Sequence, residues 1–239
     1  MGISAQRSVF GHLSAPNVSK LRWRRALLGC GVAAALLYFG MDLLAAWRYD
    51  GYSYTDQTIS ELSAVGAPTR SLWIPLGFVY SVLTIACGLG IWASATQKRA
   101  LRFVAVFVTG VGVLGLVGWP FAPMHQREVL AAGGGTLSDT MHLTLAAVSS
   151  LLFVMSIALG ATASGKPFRL YSMATIVVVL VFGAFTGMDA SKISDNQPTP
   201  WVGITERIAV FGSMLWIAVL AIALLRVQTN RPQATGGPS

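Results

Sequence analysis

Residues 204–226 read ITERIAVFGSMLWIAVLAIALLR, and the reading of this stretch decides the fold. From Ile208 to Leu225 the chain carries no charge. A helix needs about 20 such residues to cross about 30 Å of hydrocarbon. The same pattern recurs along the chain, near 25–47, 72–95, 101–122, 140–163 and 168–188. Backbone exposed to lipid must satisfy its own hydrogen bonds, so each run is expected to be helical. Composition agrees. Of 239 residues, 54% are hydrophobic and only 11% charged, where a soluble domain carries about 25%. The expected fold class is all-α, a polytopic transmembrane helix bundle with six spans. Residues 1–24 form a polar, basic segment, 25–226 the transmembrane domain, and 227–239 a Pro/Gly-rich tail expected to be disordered. Cys30 and Cys87 fall inside apolar runs and imply free thiols, not a disulfide framework.

Charge predicts orientation. Twelve Lys and Arg lie at the two termini and in the loops after spans two and four, against five on the other side. By the positive-inside rule both termini are cytoplasmic. All nine acids lie in the opposite loops or at the adjoining ends of spans. The net charge of +8 therefore reads as a cytoplasmic rim facing anionic lipid, not as a nucleic-acid surface. Membrane lipids are the expected partners, and a homo-oligomer is allowed.

The three outer loops are long and carry the chemistry. In TISELSAVGAPT (58–69), Thr58 and Glu61 have capping-box spacing, and Gly66 and Pro68 end the short helix they begin. In GTLSDTMHLTLAA (135–147), Thr136 and Asp139 repeat that spacing, so Asp139 is expected to cap span four. His142 lies one turn deeper, where an imidazole needs a partner, and Asp139 is nearest in sequence. Glu206 and Arg207 enter span six side by side, about 100° apart, so each is expected to find its partner on another helix. Gly110, Gly112, Gly115 and Gly118 of span three allow a neighbouring helix to approach closely. A "GMD" triplet at 40–42 and 187–189 suggests a faint parallel repeat.

Asp42, Ser60, Glu61, Asp139, His142, Glu206 and Arg207 are thus the expected lining of a polar pocket at the outer rim. Such a pocket suits a lipid headgroup or small polar ligand, with Arg207 facing an anionic group and His142 handling a proton. A lipid-modifying hydrolase is the second reading and a small transporter the third, although the apolar span centres offer no through-path. Metal binding has few ligands to draw on: only His125 and His142 lie on this side, short of the three a zinc site needs. No cofactor is expected, and no nucleotide loop or serine-hydrolase elbow is present.

DQTISELSAVGAPTR, GWPFAP, SDTMHLTLAAVSS and GITERI occur in this order. Together they resemble the bacterial membrane family catalogued as domain of unknown function 998, over about residues 25 to 226. The resemblance implies six spans in a bacterial inner membrane and no established activity. It singles out Ser60, Glu61, Gly66, Pro68, Trp119, Pro120, His142, Glu206 and Arg207. The layout is also loosely similar to membrane hydrolases related to alkaline ceramidases, which use a Ser, an Asp and three His around zinc. This chain has six spans and lacks the paired histidines of a late helix.

Overall fold

The computed structural model describes residues 15–96 and 98–229. Six helices are long and apolar enough to cross a membrane. In chain order they are α1 (Ala15–Arg48), α2 (Arg70–Ser94), α3 (Arg99–Val117), α5 (Leu137–Gly160), α6 (Lys166–Met188) and α8 (Val202–Thr229). Two short helices, α4 (Arg127–Ala131) and α7 (Ala190–Ser194), lie in the long loops, as do 3-10 turns at Ile59–Ser63 and Trp119–Phe121. No strand occurs among the described residues. The expected basic segment 1–24 is helical from Ala15 onward; residues 1–14 and the tail from 230 onward lie outside the described residues.

Chain neighbours pack side by side, α1 on α2, α2 on α3, α3 on α5, α5 on α6 and α6 on α8, and α8 closes the ring on α1. Glycines set the closest approaches. A Cβ at Gly112 would strike the Ser81 backbone carbonyl and Ile85 of α2, and one at Gly115 would strike the Ser81 side chain. The span-three glycines therefore bring α2 and α3 together, as small residues do in lipid.

The apolar core lies toward the end with short turns. Leu28, Cys87, Ile91, Val104, Val108, Ile157, Trp216 and Leu220 fill it. Trp216 donates through Nε1 to Ser172 Oγ at 2.9 Å, which satisfies its one polar atom. Large side chains such as Leu151, Leu170, Val177, Phe103 and Val82 point outward. On a soluble protein that surface would be an aggregation hazard; on a multi-pass membrane protein it faces the lipid tails.

At the other end the three long loops fold over the ring. The short helix expected after Thr58 is a 3-10 turn, Ile59–Ser63, set into the bundle. Ile59 and Leu62 are buried with Met41, Ala45 and Trp73, so the turn plugs the mouth of the bundle. Gly66 follows at φ +88°, the left-handed conformation that glycine adopts without strain. Val65 N then donates to Met124 O at 2.8 Å and stitches the first long loop to the second.

Candidate functional site

The segment 52–61 is the hub of the long-loop end. Arg207, near the start of α8, forms a two-pronged pair with Asp42 near the end of α1. Nε reaches Oδ2 and Nη2 reaches Oδ1, both at 3.0 Å. Nη2 also donates to Tyr52 Oη at 2.8 Å. Nη1 donates to the carbonyls of Tyr54, Gln57 and Gly203. A guanidinium has five N–H donors, and here every one is used. The Tyr54 ring lies 3.6 Å from Cζ, and its hydroxyl donates to Asp42 at 2.7 Å. That bond and burial push the Tyr54 hydroxyl up to about 12, burial being the larger cause. Asp42 is fully buried and Arg207 nearly so. Arg207, expected to face an anionic ligand, thus has no donor left to offer one.

A second pair joins the three loops. Arg127 of α4 grips Glu61 through Nε and Nη2. Its Nη1 donates to Thr199 Oγ1 at 2.7 Å, and its Nη2 to the Asp56 carbonyl at 3.0 Å. Glu61 completes the expected capping geometry by accepting from Thr58 N at 2.7 Å. Burial opposes its charge, but the Arg127 hydrogen bond, the Thr58 N–H and the Arg127 charge outweigh it and hold the carboxyl below its usual range. Arg127 is kept charged by the same pair. In the sequence Arg127 is only one of five basic residues on this side. Its partners lie more than sixty residues away, and no local pattern marks it.

The remaining groups separate. Asp139 caps α5 as expected, accepting from Thr136 N at 2.8 Å. The expected Asp139–His142 pairing does not form. Asp139 instead accepts from His125 N at 2.7 Å and contacts His125 Nδ1 at 2.9 Å. The cap holds its carboxylate at the helix tip, while His142 points one turn deeper, into the bundle. There His142 Nδ1 lies 2.9 Å from Ala122 O and Nε2 lies 3.0 Å from Ser60 Oγ. The Trp119 ring meets the imidazole edge-on at 4.8 Å. Glu206 accepts the Ile59 N–H and so fastens α8 to the 3-10 turn. Arg207 and Glu206 do find separate partners beyond their own helix.

Asp42, Ser60, Glu61, His142, Glu206 and Arg207 are therefore all tied to one loop segment, and Asp139 stands apart with His125. The GMD echo has no structural counterpart: Asp42 is buried against Arg207, whereas Asp189 pairs at the surface with Lys192 at 2.7 Å. Among the described residues no three His, Cys, Asp or Glu side chains come together as a metal site. His125 and His142, the two weak candidates, take different partners.

Neither the curated proteins nor the solved structures yield a match to the chain. Residues 32–223 match the family described as Protein of unknown function (DUF998). That match spans the ring from α1 to α8 and includes every residue of the long-loop hub. The chain belongs to the DUF998 family, here seen as a six-span, all-α membrane protein.

Proposed function

We propose that the protein binds the phosphate of an anionic lipid headgroup at its long-loop end. The reading takes that end as the non-cytoplasmic face of a cell membrane, with both termini in the cytoplasm, and the charge asymmetry of the loops supports this orientation. The observation that carries the reading is Arg70, at the first turn of α2. It is half-exposed and pairs with no carboxylate among the described residues, in contrast to Arg127 and Arg207. Its Nη1 donates to the Ser63 carbonyl, which steadies the side chain. Its other N–H groups remain available for a ligand. Arg70 stands over an open groove of about 610 Å³ lined by Gly66, Ala67, Ser71, Ile74 and Pro75. A cation and a hydroxyl above apolar walls suit a headgroup whose tails run down a spanning helix. Arginine matches phosphate oxygens with paired donors.

The test uses the purified full-length chain in phosphatidylcholine nanodiscs, with phosphatidylglycerol retention read by native mass spectrometry. Arg70→Gln is expected to weaken retention about ten- to a hundredfold, since a charge-assisted hydrogen bond is worth about 1.5–3 kcal/mol. Inorganic phosphate at millimolar concentration is expected not to compete; competition would assign a free phosphate in place of a lipid. Equal retention by Arg70→Gln and the native chain would remove the reading.

A further inference from the structure

We propose that Ser60 and His142 are a nucleophile and its general base for cleaving a carboxylic ester of a membrane lipid. The inference rests on headgroup binding at Arg70 for its substrate class. Ser60 Oγ lies 3.0 Å from His142 Nε2, and His142 Nδ1 lies 2.9 Å from the Ala122 carbonyl oxygen. A carbonyl only accepts, so Nδ1 carries the proton and Nε2 presents its lone pair to the Ser60 hydroxyl. This is the arrangement by which a base is oriented by a third group and aimed at a nucleophile. Here a backbone oxygen takes the orienting place that a carboxylate holds in many triads. His142 is buried, and the edge-on Trp119 ring helps to fix the imidazole plane.

Access supports the assignment. In the turn Ile59–Ser63, residues Ile59, Glu61 and Leu62 are buried, whereas Ser60 and Ser63 are half-exposed. In a 3-10 helix residues i and i+3 eclipse, so these two serines share one face, about 6 Å apart along the axis. The Ser63 carbonyl is the group that holds Arg70. Arg70, through the Ser63 carbonyl, and the Ser60 hydroxyl are thus both attached to this one turn, as a substrate that carries its phosphate near its acyl ester requires.

The chemistry balances with water as the only co-reactant. Ser60 Oγ attacks the ester carbonyl carbon as Nε2 takes the hydroxyl proton. The bond between that carbon and the alcohol oxygen breaks, and Nε2 passes the proton to the departing oxygen. Water then attacks the acyl-Ser60 ester and gives a proton to Nε2. That proton returns to Ser60 Oγ as the acid leaves. One ester and one water give one carboxylic acid and one alcohol.

The test treats the full-length chain, in phosphatidylcholine nanodiscs, with a fluorophosphonate carrying a fluorescent reporter and locates the label by peptide mass spectrometry. Ser60 is expected to be labelled and Ser63, its half-exposed neighbour on the same turn, to be spared. Ser60→Ala abolishes the label. His142→Gln slows labelling about a hundredfold, within the range that general-base assistance supplies. No label at Ser60, equal labelling of Ser60 and Ser63, or an unchanged rate in a folded His142→Gln overturns the inference. Should His142→Gln fail to fold, the Ser60-to-Ser63 ratio of the native chain decides alone. Failed labelling with phosphatidylglycerol still retained removes only the esterase. Ser60 labelling that persists while Arg70→Gln retains the lipid normally removes only the headgroup reading.

Discussion

Replacing Asp42 by Asn leaves the Arg207 guanidinium buried among carbonyls and tyrosines with no carboxylate in contact with it. The pair has two direct contacts of 3.0 Å, and both partners are almost wholly shielded. Removing one member of such a pair costs about 3–5 kcal/mol, because the survivor keeps its desolvation penalty and loses its partner. For a chain of this size each kcal/mol shifts the melting temperature by about 2–4 °C. Asp42→Asn should therefore melt about 6–20 °C below the native protein, read by tryptophan fluorescence in a mild detergent. Arg207→Met should fall by a similar amount, since it strands the carboxylate. The double variant Asp42→Asn/Arg207→Met should recover much of the loss, because a neutral pair of similar volume carries no stranded charge. The cycle would then show strong coupling between sites 165 residues apart in sequence. If each single variant melted within about 2 °C of the native chain, water must reach the pair, and the closed long-loop end described above would be wrong.

Two further outcomes follow from the same region. Burial opposes the Glu61 charge, but the Arg127 and Thr58 hydrogen bonds outweigh it and hold the carboxyl below the usual glutamate range in the folded chain. A depressed carboxyl adds stability above its unfolded pKa and loses it as pH falls through the folded value. Melting temperature should therefore fall below about pH 4.5 in the native chain, and Glu61→Gln should be less stable near neutrality and show less of that acid loss; a native chain with a flat profile from pH 5 to 3 would refute the pairing with Arg127. Gly203→Ala should destabilise by about 1–3 kcal/mol, since its Cβ would strike the carbonyls of Gln57 and Tyr54 that also bind Arg207; a melting curve matching the native one would show that the loop can give way.

Several features of the long-loop end depend on contacts within a few residues, and those were open to reading. Thr58 with Glu61 and Thr136 with Asp139 are capping pairs because a helix start leaves N–H groups unsatisfied three residues from a suitable acceptor. The span-three glycines marked a close helix contact, though not that α2 would be the neighbour at Gly112 and Gly115. The sequence marks His142 as a residue in need of a partner but does not say which one it takes. Its partner by sequence distance was Asp139; its partner in space is Ser60, 82 residues away. Arg127, Tyr52 and Tyr54 are unmarked in the sequence, because a loop arginine or tyrosine carries no signature of what it will meet.

Six spans, and the gathering of acids at one end of them, are properties of the chain read alone. The cost of exposing backbone or charge to hydrocarbon acts on each segment separately, and length and composition suffice to state it. Pairing is different. Asp42 meets Arg207, Glu61 meets Arg127, and Ser60 meets His142 because a closed ring of helices brings three loops over one mouth. Buried polar groups then take whichever partner lies within about 3 Å, and that distance is set by packing across the bundle, not by position in the sequence.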